Sequence, residues 1–178
     1  MAESSFSIDV AAIRERARAK MTDGPVTAGY GRRAEEVIGV LNDVLATEIV
    51  CWMRYAQHAI SATGIDRAQV AAEFSEHADE ERGHAMRAAE RISQLGGQPD
   101  FDPRTLAERS HTTYKTFDEN DLRSMLEENL VAERIVIESY QEIIRWLGDG
   151  DVTTRRLMEH ILAEEEEHAD DLTDLLGI

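Results

Sequence analysis

Apolar residues recur at alternating spacings of three and four along most of this chain, and that period predicts long amphipathic helices. Segments free of helix breakers run over about 32–63, 67–95, 119–147 and 150–176. Prolines occur only at Pro25, Pro99 and Pro103, and the glycines cluster between the segments. Period-2 alternation is absent, so strands are not expected. Each helix is about 27–32 residues, roughly 40–48 Å long, and four such helices pack as a bundle.

The connections predict the topology. Gly64-Ile65-Asp66, with Asp66 as the N-cap, and Gly148-Asp149-Gly150 are short turns that demand antiparallel neighbours. The stretch 96–118 is long and polar, holds two prolines, and has the reach to cross the whole bundle between the second and third helices. Residues 1–31 form a separate N-terminal arm ahead of a bundle domain at 32–178. In the arm, Ser7-Ile8-Asp9 can cap a short helix to about Lys20, ended by Asp23-Gly24-Pro25.

The two halves repeat each other. LATEIVCWMRYAQ (45–57) aligns with LVAERIVIESYQE (130–142), so Glu48 matches Glu133 and Tyr55 matches Tyr140 at an offset of 85. EERGH (80–84) aligns with EEEEH (164–168), so Glu81 matches Glu165 and His84 matches His168 at an offset of 84. Each helix pair thus carries one lone Glu and one Glu-x-x-His.

An ExxH motif alone is common on a solvated helix face. Here the seams are informative. They read Val37, Leu41, Val44, Glu48, Cys51, Tyr55, His58, Ala62; then Phe74, His77, Glu81, His84, Ala88, Ile92, Leu95. The third and fourth read Leu122, Leu126, Asn129, Glu133, Ile137, Tyr140, Ile144, Leu147 and Met158, Ile161, Glu165, His168, Leu172, Leu175. All six Glu and His candidates fall on core positions. Four buried carboxylates in one layer would repel one another and take up protons. Two divalent cations cancel that charge, and carboxylates with neutral imidazole suit Fe, Mn or Zn. Geometry then makes Glu81 and Glu165 the expected bridging ligands and Glu48 and Glu133 terminal ones. His84 and His168 each serve one metal. Tyr55, two turns from Glu48, can hydrogen-bond a ligand glutamate or supply an electron. Tyr140 is its repeat equivalent. His77 and His58 read as satisfied core histidines, with an iron-route role for His77 the lesser reading. His111 and His160 read as loop or surface residues. Glu76 and Glu80 fit a solvated face or an iron-shepherding one, and Trp52 and Trp146 read as packing or interface residues.

Composition narrows the classes. Acidic residues number 36 against 19 basic, a net charge of −17, which disfavours wrapping of nucleic acid and favours attraction of cations. Cys51 is the sole cysteine, so no intrachain disulfide forms. The first twenty residues lack the apolar run of a secretory signal, and no stretch approaches the roughly 18 apolar residues of a membrane span. A cytoplasmic location is the expectation.

The constellation of Glu48 with Tyr55, Glu81-x-x-His84, Glu133 and Glu165-x-x-His168 resembles the ferroxidase centre of bacterioferritin-type proteins, over about 33–176. The resemblance implies an all-α ferritin-like four-helix bundle. It further implies two Fe ions per chain, oxidation of Fe(II) by O2 or H2O2, and Fe(III) storage in a homo-oligomeric shell. The haem-ligating methionine of that family follows the first ExxH Glu, where this chain has Arg82, so haem is not expected. The fifth helix that helps build a 24-subunit shell in that family is not expected after Gly177-Ile178, and an N-terminal arm is expected before the bundle. Both features are similar to Dps-like twelve-subunit cages. Three rivals differ in class. A rubrerythrin-like peroxidase usually adds a paired-CxxC domain. A DNA-protecting cage would use Arg14, Arg16, Arg18, Lys20, Arg32 and Arg33, which Glu3, Asp9, Glu15, Asp23 and Glu35 nearly cancel. An oxygenase would need an apolar substrate pocket.

Overall fold

In the computed structural model of the chain, residues 6–117 and 121–178 are described. Among them all regular structure is helical: α1 (Val10–Ala19), a 3-10 turn at Met21–Asp23, α2 (Ala34–Ser61), α3 (Arg67–Gln94), α4 (Leu106–Arg109), α5 (Leu122–Leu147) and α6 (Val152–Leu176). The four long helices match the expected segments to within a few residues at each end, although positions 119 and 120 of the third segment lie outside the described residues. None of these helices is long and apolar enough to cross a membrane.

The ends of the helices show local chemistry. Asp9 caps α1 through a bond from the Ala12 N–H, and Asp121 and Asp151 cap α5 and α6 through the N–H groups of Ser124 and Thr154. Asp66 corrects an expectation: it occupies the N-cap of α3, but its side chain accepts no capping bond. Gly148, at φ 49, turns the chain sharply out of α5, a conformation that favours glycine.

Helix α2 packs mainly on α3, and α5 on α6. The segment after α3 runs the length of α2 and is pinned to it by a ladder of contacts. Gly97 lies so near Ile38 that an added Cβ would stand 2.8 Å from its Cγ2. Asp100 N–H donates to Asn42 Oδ1 at 2.8 Å, and Arg109 donates to the Asn42 carbonyl at 2.7 Å. His111 N–H donates to Thr47 Oγ1 at 2.9 Å, and the Lys115 carbonyl meets His58 Nε2 at 3.1 Å. The attachment points climb α2 from 38 to 58, so this is the long crossover. Its single turn of helix, α4, was not expected from the sequence, because a four-residue helix carries no period.

Several core positions differ from the seams drawn on the sequence. In α5 the buried set is Met125, Leu126, Asn129, Ala132, Glu133, Val136, Tyr140 and Leu147, while Leu122, Ile137 and Ile144 are half-buried. In α6, Leu176 rather than Leu175 is buried. A straight helix drifts about 20° per heptad from a strict 3.5-residue repeat, and over seven turns the buried face moves.

Arg54 is wholly buried, and the seam of α2 omitted it. Its Nε donates to Asn129 Oδ1 at 2.8 Å, and its Nη1 donates to Thr112 Oγ1 at 3.4 Å and the Thr113 carbonyl at 3.3 Å. Asn129 in turn contacts His58 Nδ1 at 3.1 Å. One guanidinium therefore ties α2, α5 and the crossover together. At the far end, Arg91 does the same for the other pair. It donates to both oxygens of Asp151, at 3.0 and 3.1 Å, and to Thr154 Oγ1 at 2.8 Å, while the Tyr30 hydroxyl donates to Asp151 at 2.6 Å. We expect Arg54→Met to destabilise the fold by about 2–4 kcal/mol, because Asn129 and the Thr113 carbonyl lose a charged donor inside the core. Thermal unfolding measures this, and an unchanged midpoint would contradict it.

Candidate metal centre

The α2, α3, α5 and α6 helices each send ligand-type side chains into one layer of the core. Glu48 comes from α2, Glu81 and His84 from α3, Glu133 from α5, and Glu165 and His168 from α6. All six are at most 2% exposed. They are there because Glu and His three residues apart share one helix face, and that face is the core-facing seam in both halves.

Two overlapping groups of ligand atoms result, the atoms of each lying within 4.8 Å of one another. The first is Glu48, Glu81, His84 and Glu165; the second is Glu81, Glu133, Glu165 and His168. Glu81 and Glu165 belong to both. His84 Nδ1 stands 2.8 Å from Glu165, 3.4 Å from Glu48 and 3.5 Å from Glu81. His168 Nδ1 stands 3.4 Å from Glu165 and 3.8 Å from Glu81.

The outer shell follows the same twofold pattern. The Tyr55 hydroxyl donates to Glu133 Oε1, and the Tyr140 hydroxyl donates to Glu48 Oε1. Tyr55 therefore reaches across the bundle to the lone Glu of the other half rather than back to Glu48 on its own helix. Each imidazole turns its Nε2 outward to a carboxylate on the facing helix. His168 Nε2 meets Glu80 at 2.7 Å, and His84 Nε2 meets Glu164 at 3.0 Å. The His168–Glu80 hydrogen bond orients that imidazole and fixes its tautomer, while His84 Nε2 lies beside Glu164 without hydrogen-bond geometry. The role of Glu164 was missed in the sequence. The doubled glutamates, Glu80-Glu81 and Glu164-Glu165, were the available signal.

The site fits a pair of cations on the chemistry of its donors. Glu48 Oε2, both oxygens of Glu81, Glu133 Oε2, Glu165 Oε2 and His168 Nδ1 are buried and have no hydrogen-bond partner among the described residues. Six orphaned acceptors and donors in one layer would be a large desolvation debt without ions between them.

Without metal, protons fill that role. Burial, and the charge of Glu165 after it, raise Glu81 well above the usual carboxylate range. Burial and Glu165 likewise raise Glu133 to about 8. Burial alone would lower His84, but its contacts with Glu165 and Glu48 raise it to about 11. His168 is raised to about 9 against the same burial penalty, chiefly by Glu165. Glu165 is the exception: burial pushes it up, yet His168 and His84 hold it well below the ordinary range. Burial pushes both Tyr55 and Tyr140 far upward, so their hydroxyls keep their protons.

The remaining sequence candidates divide. His58 is buried and bonded, as expected of a core histidine. His77 corrects its reading: it is 1% exposed, and neither ring nitrogen has a hydrogen-bond partner among the described residues. His111 lies in the crossover, and His160 is exposed. Of the arm cations, Arg32 donates to the Leu147 carbonyl and lies 4.9 Å over the Trp146 ring, and Arg33 pairs with Glu36 at 2.9 Å.

Comparison with known proteins gives a consistent result. The chain is 30% identical over 137 residues to a bacterioferritin of Desulfovibrio desulfuricans, covering 76% of this chain and 72% of that one. It is 29% identical over 130 residues to a nutrient stress-induced DNA-binding protein of a Synechococcus species, covering 72% and 74%. Among solved structures it resembles a dodecameric thioferritin, the bacterioferritin-related protein of Bacteroides fragilis. That match has a TM-score of 0.79 and 39% identity and covers 83% of this chain and 88% of the other. Residues 38–178 match the model of the ferritin-like domain, and the chain belongs to that family.

Proposed function

We propose that this protein is a ferroxidase that oxidises Fe(II) at a dinuclear centre within each bundle and stores the Fe(III) in a homo-oligomeric shell. The convergence of six buried ligand side chains with unpartnered inward atoms carries this reading. Fe(II) is the substrate. Glu81 and Glu165 bridge two ions, Glu48 and His84 complete one position, and Glu133 and His168 complete the other. Two Fe(II) give up one electron each. O2 accepts the pair with two protons to give H2O2, or H2O2 accepts it with two protons to give two waters. Family membership and the bacterioferritin likeness support iron as the metal.

The chain's own groups do three things. The carboxylates offset the cations' charge in a layer that excludes bulk water, which holds both irons in register. Tyr55 and Tyr140 fix the lone glutamates by donating to one oxygen, leaving the other free to ligate. Glu80 holds the His168 imidazole from outside by a hydrogen bond, and Glu164 faces His84 Nε2 at 3.0 Å. A twelve-subunit shell is supported by the dodecameric relative at 39% identity. Relatives named for DNA binding raise that rival. The net charge of −17 and the bond of Arg32 to the Leu147 carbonyl argue against DNA as the partner here.

Loading must displace protons. Glu81 is raised well above the usual carboxylate range, and Glu133, His84 and His168 to about 8, 11 and 9, so all four shifts favour the protonated forms in the metal-free centre. Cations bind the deprotonated forms, so binding tightens as pH rises and weakens as it falls. Calorimetry in buffers of different ionisation enthalpy should show proton release with each metal; no release would contradict this charge balance.

Fe(II) added in air to metal-free protein should show a rapid phase saturating at about two Fe per chain, followed by slower loading of many more soluble irons. Glu81→Ala should remove the rapid phase, and Tyr55→Phe should slow it by about tenfold or more, the range seen when a ligand's outer partner is lost. Saturation at two with no further loading would overturn storage and leave a peroxidase or oxidase. An unchanged Glu81→Ala variant would overturn the dinuclear site itself.

A further inference from the structure

The twofold repeat that builds the metal layer breaks down one turn outside it. Subtracting 84 from Asp171 gives Arg87, and adding 84 to Glu73 and His77 gives Leu157 and Ile161. On the His84 side the outer positions are therefore an apolar pair, Leu157 and Ile161, and a cation, Arg87. That cation is engaged with Glu164. On the His168 side the same positions are Glu73, His77 and Asp171. One flank of the centre repels cations and is closed by a salt bridge; the other is lined with their ligands.

These three side chains form a set in their own right. One ligand atom from each lies within 4.8 Å of the others. His77 Nε2 stands 3.4 Å from Glu73 Oε1 and 3.6 Å from Asp171 Oδ2. Ligands about 2.1 Å from one ion stand about 3–3.5 Å apart, so the spacing suits a shared cation. The His77 side chain is 2% exposed, and both its nitrogens lack a hydrogen-bond partner among the described residues. A buried imidazole with no partner costs about 1–3 kcal/mol, and a ligated ion at Nε2 removes part of that cost. Glu73 and Asp171 are 29% and 45% exposed, so the set opens to solvent. Its inner wall is the metal centre: the His77 ring stacks on His168 at 4.1 Å between centroids.

We propose that Glu73, His77 and Asp171 form a third divalent-cation site, the position from which Fe(II) enters the pair on its His168 side. The transit role rests on the ferroxidase reading; the binding site itself does not. One imidazole and two carboxylates suit Fe(II), Co(II), Mn(II) or Zn(II). Three protein ligands leave further positions to water, so the ion exchanges readily. The acidic side chains of Glu76 and Glu80 act on Glu73 from the same flank and add to the attraction for cations.

The test uses Co(II), which is stable in air, on the metal-free full-length protein, with binding followed by calorimetry and positions found by anomalous diffraction at the cobalt edge. The wild type should bind a third Co(II) per chain, weaker than the other two and lying between Glu73, His77 and Asp171. Asp171→Asn, a half-exposed change that the fold tolerates, should lose that ion and keep the pair. His77→Phe, which preserves the ring stack, should do the same. Glu81→Ala should lose the pair and keep the third ion. A wild type that binds Co(II) only between Glu81 and Glu165, or a third ion unmoved in both Asp171→Asn and His77→Phe, would overturn the proposal. Cobalt found at Glu73–His77–Asp171 but never between Glu81 and Glu165 would uphold this site while overturning the dinuclear reading on which its transit role rests.

Discussion

Four glutamates buried in one layer of a helical bundle are the constraint around which the rest of the structure is arranged. Their mutual repulsion and lost hydration would oppose folding if all four stayed ionised. The chain meets this in two interchangeable ways. Without metal, the raised titration of Glu81, Glu133 and the two imidazoles favours protons in the layer, and on the proposed function cations would replace them.

The twofold repeat makes that layer nearly symmetric. Each tyrosine braces the lone glutamate of the opposite half, and each outer glutamate faces the imidazole of the opposite helix. The crosswise bracing means that neither helix pair holds a complete centre alone. Arg54, Arg91 and the crossover supply the rigidity such a site needs, since they bind the four helices at levels flanking the carboxylates. Symmetry ends at Glu73, His77 and Asp171 against Leu157, Ile161 and Arg87, and the proposed entry route rests on that asymmetry.

Much of this was legible in the sequence because the signals were redundant. Long breaker-free segments and two short turns specify the bundle. The offsets of 85 and 84 bring the six ligand positions to one level once the halves are superposed in the mind. What the sequence hid has physical reasons. Period alone could not show that Tyr55 reaches Glu133, because the direction of a side chain across a bundle depends on how the helix pairs dock. Arg54 was hidden because an arginine beside a seam usually extends to solvent, and here three partners from α5 and the crossover hold it inside. His77 read as a satisfied core residue from its place on the seam, and only the arrangement of its neighbours reveals that its ring nitrogens have no hydrogen-bond partner among the described residues. The drift of the buried face along α5 is likewise invisible to a fixed heptad.

The central claim is that two metal ions sit between Glu81 and Glu165 in each bundle. Anomalous diffraction at the iron edge, from crystals of the protein loaded with Fe(II) without oxygen, tests it directly. The account predicts two core peaks per chain, both touching Glu81 and Glu165, one beside Glu48 and His84 and the other beside Glu133 and His168. A single core peak, or iron confined to the surface with the six side chains still free, would contradict it.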